Sequence, residues 1–407
     1  MIIALCLIFI FLSAVYFKLN LYNHTVALIA PWALILILSK FNISYLHKEL
    51  SITTISIILI FLIAYLFGTT ASRFSRASKI AFDNHHYSNS IFLLLFTIYL
   101  ALTFLNIILA GYIPIIRLIQ TGNSGYMDFG LSGLYGLYNA YANALAAVAF
   151  FIFLKTKDRK YLAACLTVLA FFFAFISRQN IISTLIEMFI IYGITKKRIP
   201  TPRILIYCTL LLLAFSFVGD MRSGDILNIS EARYEYSNLP SAFYWVYSYL
   251  YISAVNLNNY IIYSGAPFYD GNSLYNLIPR FIRAYFGATA EYESYLEKIN
   301  FTVSTSLKSI YGDFGYSQTI LTGLIAGFFT NKLYKQSKIS TSLKSTTTYS
   351  VLYFCSLFSF FTNFWFFLPV IFQIPFIYVF SSLIIKKNPT PLIKAKLTLH
   401  KPLTPNK

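Results

Sequence analysis

The feature that most restricts this chain is a succession of apolar runs, most of them close to the length of a membrane crossing and parted by polar turns. A spanning helix needs about 20 mostly apolar residues, because the hydrocarbon core is about 30 Å thick and a helix rises about 1.5 Å per residue. In lipid every backbone amide must find its partner inside the protein, which leaves helical bundles or closed barrels. The runs here are continuous rather than alternating, so they predict helices. Only 11% of the residues are charged, against about 25% in an average soluble domain, and the mean hydropathy is +0.65. A chain this poor in charge cannot coat a soluble exterior.

The expected fold class is all-α, a polytopic transmembrane helical bundle with one large external loop containing interfacial helices. About eleven spans are expected, over 1–17, 24–38, 51–70, 91–111, 136–154, 161–177, 179–194, 203–219, 316–333, 349–364 and 366–385. The chain then divides into N-terminal transmembrane helices (1–218), the large loop (219–315), C-terminal transmembrane helices (316–385) and a tail (386–407). The first apolar run carries no preceding Lys or Arg, which predicts a retained span rather than a cleaved signal.

Sidedness follows from the basic residues, which concentrate in cytoplasmic turns. With the N-terminus outside, 22 of the 32 Lys and Arg fall on the cytoplasmic side. They cluster around Arg73, Lys155–Lys160, Lys196–Arg203, Lys332–Lys344 and Lys386. Residues 241–264 test this scheme. They are apolar enough to pass for a span, but a crossing there would force the Lys332–Lys344 cluster outside. Their many tyrosines, with Trp245, Asn256, Asn258 and Asn259, predict an interfacial helix instead.

The net charge of +18 does not predict a nucleic-acid partner, because the basic residues sit in short clusters between apolar runs. The cysteines, Cys6, Cys165, Cys208 and Cys355, are scattered through apolar runs and read as small packing residues. His85 and His86 have no carboxylate or cysteine at ligand spacing, so no metal and no cofactor is expected. No Gly-rich nucleotide loop and no Ser-His-Asp set is present.

Ionisable groups at bilayer depth are costly and need a partner or a purpose. Arg178 lies in the external turn Ser177-Arg178-Gln179-Asn180, where it is either a headgroup anchor or a phosphate clamp. Glu187 lies nine residues deeper, as a hydrogen-bonded buried carboxyl or a protonation site. The loop opens with Gly219-Asp220-Met221-Arg222-Ser223-Gly224-Asp225, in which glycines let backbone amides and a guanidinium approach an anion together. In Pro279-Arg280-Phe281-Ile282-Arg283 two guanidiniums share one helix face. Arginine suits bidentate phosphate recognition. The loop ends in Ser309-Ile310-Tyr311-Gly312-Asp313-Phe314-Gly315, whose acid is either a helix cap or a site carboxylate. Tyr292 and Tyr295 are candidates for stacking on sugar faces.

This layout resembles the O-antigen and oligosaccharide repeat-unit polymerases (Wzy type). The shared features are Arg178 on a short external turn, the Gly-Asp-Met-Arg-Ser-Gly exit, one dominant external loop and the Gly-Asp-Phe-Gly entrance to the next span. The Arg-x10-Gly pair described for some members is absent, since Phe189 and Arg233 occupy the glycine positions after Arg178 and Arg222. The resemblance implies a glycosyltransferase of the bacterial inner membrane, with N-terminus periplasmic and C-terminus cytoplasmic. It would polymerise oligosaccharides carried on undecaprenyl diphosphate into O-antigen or capsule at the periplasmic face, beside a chain-length regulator membrane protein. Arg178, Arg222, Arg280 and Arg283 would hold the diphosphate. Asp313 is the first candidate for the base, with Asp220 or Glu291 the second. Two alternatives share the size and charge: a lipid-linked glycan flippase, which the long loop argues against, and an O-antigen ligase, which the absence of histidine between Gly219 and Gly315 argues against.

Overall fold

The computed structural model describes residues 22–75, 86–196 (without 127 and 132), 225–264, 271–283 and 295–386, with single positions at 216, 267, 269 and 285. The side chain of Arg280 is outside this description. So are the expected spans over 1–17 and 203–219, and the tail beyond Lys386.

The described chain is predominantly helical. Its first half contains α1 (His24–Leu38), α2 (Ile52–Ala71), α3 (Asn89–Ala110), α4 (Pro114–Thr121), α5 (Tyr135–Thr156), α6 (Arg159–Ala174) and α7 (Arg178–Lys196). The loop region holds α8 (Ile226–Ile229), α9 (Ser241–Tyr247), a π turn over Ser248–Ile252, α10 (Ser253–Ser264), a 3-10 turn over Asn272–Leu277 and α11 (Arg280–Arg283). Then come α12 (Ser306–Ser340), α13 (Leu343–Leu357), α14 (Leu368–Ile371) and α15 (Gln373–Ile384). A two-residue ribbon pairs β1 (His86–Tyr87) with β2 (Ile385–Lys386), and it is the one sheet among the described residues.

Three helical stretches are long and apolar enough to cross a membrane: Ile52–Phe74, Asn89–Thr121 and Tyr135–Thr156. The second presents its apolar side chains outward. Leu94 and Ile108 are 59% and 73% exposed, as expected of a surface that meets lipid rather than water.

Small residues set the tightest helix pair. Gly323 and Gly327 on α12 face α2 one turn apart, and Gly68 on α2 faces them. A Cβ on Gly323 would stand 2.9 Å from the Phe61 carbonyl oxygen, and one on Gly327 would collide with the Tyr65 carbonyl. Without a hydrophobic drive between helices in lipid, such close backbone approach is what holds them.

Two bends are built in. Gly315 takes φ +62 within α12, a conformation that disfavours any Cβ, and Phe314 beside it is also non-helical. The helix thus breaks where the sequence places the start of a span, and the Asp313 carbonyl accepts instead from Tyr269 N at 2.7 Å. The π turn lies in the 241–264 segment. Here the structure adds what composition did not show: most of the segment is walled in by protein. Tyr244, Trp245, Tyr251 and Tyr260 are buried. Asn256 donates to the Phe301 and Val303 carbonyls, Asn258 Oδ1 accepts from Ser51 N and Thr54, and Tyr251 donates to the Lys48 carbonyl.

The turns separate by charge. At one end, Lys335 donates to the Ser72 carbonyl, Lys155 to Thr341, Lys344 to Ser382, and Lys157 stands beside Lys196. The ribbon of His86 with Lys386 closes the same end. At the other, Ser44 bridges to Ala232, Lys48 pairs with Glu297 at 2.5 Å, Lys298 pairs with Glu231 at 2.9 Å, and Asn363 donates to Ser309. These are the basic end and the loop end below.

Candidate functional site

A groove of about 850 Å³ runs along the flank of the bundle between α12 and the α13–α15 side. It starts at the loop end, between Leu274 and Phe314, and continues past Leu321, Ile325 and Phe329 to Leu333. From Ser317 to Leu333 this is about 24 Å of helix, most of the thickness of a hydrocarbon core. Its wall is almost wholly apolar. Leu321 and Phe329 are more than half exposed, so the groove opens sideways rather than into an enclosed chamber.

Three polar atoms interrupt that wall. Gln318 Oε1, Trp365 Nε1 and Thr348 Oγ1 are buried and lack a hydrogen-bond partner among the described residues.

The mouth is organised by Asp313. Its fully buried carboxylate accepts from Ser273 N at 3.0 Å, from Ser273 Oγ, and from Gln318 Nε2 at 3.1 Å. The acid at the break in α12 therefore fastens the Asn272–Leu277 turn over the top of the groove. It also orients the Gln318 amide so that its oxygen is left over. Asn276 on the same turn accepts from Arg283 Nη1 at 3.4 Å, while Arg283 Nε is buried without a partner among the described residues. Phe281, between the two arginines, packs against Gly133 at the loop end of α5. Lys308, on the first turn of α12 and 5.6 Å from the Tyr260 ring, is held below the usual lysine range by burial.

The candidates fall into three groups. Asp313 and Arg283 come together through the Asn272–Leu277 turn. Arg178 opens α7 at the same end, half-buried, beside a different network: Asn180 Nδ2 donates to Ser177 Oγ, and Asn143 of α5 donates to Asn180 Oδ1. Asp220, Arg222 and Glu291 lie outside the described residues, and Arg280 is placed by backbone alone, at the start of α11. Ser273, Gln318 and Trp365 escaped the sequence reading. Ser273 carries no local signal at all. Gln318 and Trp365 are a polar residue inside an apolar run and a polar-tipped ring between two runs, a signal too common to single them out.

Chemically, a guanidinium beside the turn that caps a long apolar groove can hold the anionic head of an amphiphile whose chain lies below it. No protein-family model, no curated protein and no solved structure matches this chain.

Proposed function

We propose that the chain is a membrane glycosyltransferase that polymerises undecaprenyl-diphosphate-linked oligosaccharide repeat units at the periplasmic face of the bacterial inner membrane. The observation that carries this reading is the lateral apolar groove capped at the loop end by the Asn272–Leu277 turn, which Asp313 fastens and Arg283 contacts. A polyprenyl chain needs a bilayer-deep apolar surface open to the membrane, and a diphosphate needs guanidinium at its upper rim. In this reading the bundle has about eleven spans, the basic end is cytoplasmic, and the 219–315 region is the periplasmic loop. The gathering of the basic turns at one end supports that orientation.

In the reaction, an acceptor hydroxyl attacks the anomeric carbon of the growing chain, the glycosidic bond forms, and undecaprenyl diphosphate departs with the bonding electron pair. Positive charge at the leaving group stabilises the transition state. Arg283 takes this role at the mouth, with Arg178, Arg222 and Arg280 as further contributors. The hydroxyl proton goes to a carboxylate. Both oxygens of Asp313 are engaged and it is sealed from solvent, so it acts as a positioning residue. The proton acceptor is then Asp220 or Glu291.

The deciding experiment is the surface glycan of a deletion strain. Glycan limited to one repeat unit fits a polymerase, while loss of all surface glycan with lipid-linked units accumulating inside would replace it with the flippase reading. Within the polymerase reading, Arg283→Ala shortens the chains and Arg283→Lys restores them in part. Unchanged chain length in Arg283→Ala would remove that residue from the diphosphate site.

A further inference from the structure

Glu187 takes no part in the groove or its mouth. It sits midway along α7, nine residues or about 13 Å from Arg178, and it is 1% exposed. Among the described residues it has no ion pair. Its partner is Gln373 at the start of α15: with the amide nitrogen turned to the carboxyl, Gln373 donates to Oε1 at 3.0 Å and Oε2 at 3.2 Å. An ionisable side chain at that depth is expensive to keep without a use.

The side chains above it form a column. Ser177, Asn180, Thr184 and Glu187 recur at helical spacing on one face of α7. Asn180 Nδ2 donates to Ser177 Oγ at 2.7 Å, Asn143 Nδ2 to Asn180 Oδ1 at 3.0 Å, and Thr184 Oγ1 to Asn143 Oδ1 at 2.6 Å. One turn nearer the loop end on α5, Asn139 is also buried, with its Oδ1 unpartnered among the described residues. On the other side of Glu187 the polar face stops. Ile190, Ile191 and Ile194 are buried and seal the approach from the basic end. Among the described residues, the titratable side chains packed around α7 are Cys355, Tyr349 and Tyr353 of α13, Tyr334 of α12 and Cys165 of α6, none of them a carboxylate or a cation. The ends of α7 itself carry Arg178 and Lys196.

We propose that Glu187 is a proton-binding site that exchanges with the loop-end face alone, along the polar side of α7 lined by Thr184, Asn143, Asn180 and Ser177. One carboxyl with one amide is too few oxygens for a metal cation, whose shell needs about six. It suffices for a proton. A site open to one face only is a proton reservoir for a conformational step, not a channel. The proposal is independent of the glycan chemistry, because its readout is the carboxyl itself.

The test is labelling by dicyclohexylcarbodiimide. The reagent takes up the acid's proton on nitrogen while the carboxylate oxygen adds to its central carbon, so it reports a protonated carboxyl in an apolar setting. Full-length protein is labelled in right-side-out and in inverted membrane vesicles, and the Glu187 peptide is quantified by mass spectrometry. Acidifying the compartment that faces the loop end raises labelling several-fold. Acidifying the other compartment leaves it flat, and Glu187→Gln abolishes it. Equal response from both sides, or no labelling of Glu187 from either, would overturn the proposal. Asn143→Leu combined with Thr184→Val slows the response of the loop-end side several-fold. Should that variant not fold, the two-sided comparison on the wild-type protein still decides.

Discussion

At Asp313 a single carboxylate accepts from three donors among the described residues, two on the Asn272–Leu277 turn and one on α12. Hydrogen bonds to a charged group are worth about 1.5–3 kcal/mol each when the partner would otherwise be left buried. Asp313→Asn places an amide N–H2 against donors and is expected to cost about 2–3 kcal/mol. Ser273→Ala removes the hydroxyl but keeps the backbone contact, and should cost about 1 kcal/mol. Thermal unfolding in detergent checks the order; equal losses would mean that the backbone contact contributes nothing. A second residue gives a pH signature. His47 stacks on Tyr251 with ring centroids 4.8 Å apart, and its Nδ1 is buried without a partner among the described residues. Burial lowers its pKa, Glu49 opposes, and Arg233 and Lys40 add to the lowering. Acid therefore protonates the unfolded chain first. Stability is unaffected well above about pH 6.5 and falls as pH drops from there towards the folded-state pKa. Melting followed against pH should show this decline, and His47→Phe, which keeps the stacked ring, should flatten it. The two acids were unequally legible in sequence. Glu187 announced itself by depth, whereas Asp313 between two glycines was open between cap and site, and its latch to a serine forty residues earlier leaves no local trace.

Among the elements, the pairing of α2 with α12 rests on Gly68, Gly323 and Gly327, each with no room for a side chain. Gly327→Leu must push the backbones apart. Overpacking of this kind costs about 1–3 kcal/mol, and here it also disturbs the buried set of His24, Tyr65 and Asn331, where His24 Nδ1 lies 2.7 Å from Tyr65 Oη. A fall in the thermal midpoint larger than that of Gly122→Leu is the expected outcome; Gly122, at the end of α4, has open space around its Cβ position but a positive φ, so it controls for backbone strain. Equal falls would mean that the close approach carries no energy. Gly323 and Gly327 stand four apart in the chain, but that spacing acquires its meaning only from a partner helix some 250 residues away. The 241–264 segment shows the reverse case. Its aromatics and asparagines predicted a helix, yet its composition could not reveal that Asn256, Asn258 and Asn259 would be satisfied by backbone and side chains of distant loops. Periodicity reads one face of one helix; which neighbour covers that face is set by tertiary packing.

For the whole molecule, the most legible property was the arrangement of charge. Basic turns scattered from Arg73 to Lys386 converge at one end through contacts between residues far apart in the chain: Lys335 with Ser72, Lys155 with Thr341, β1 with β2. The acid-bearing segments converge at the other, where Glu231 and Glu297 meet Lys298 and Lys48. Hydrogen bonding between turns requires them to lie on the same side of any membrane that the helices cross, so the contacts constrain topology without reference to charge. In the proposed topology the charge gives the direction, because cytoplasmic turns hold the excess of Lys and Arg. Neither native buried thiol, Cys165 nor Cys355, interferes with surface labelling from water. In a background with Cys6 and Cys208 replaced by serine, single cysteines at Glu235 and at Lys344 should therefore label from opposite sides. A membrane-impermeant maleimide added to intact cells should modify Glu235→Cys, and Lys344→Cys should react only after the membrane is opened. If both reacted in intact cells, the α12 segment between them would not cross, and the groove along it would face water rather than lipid chains.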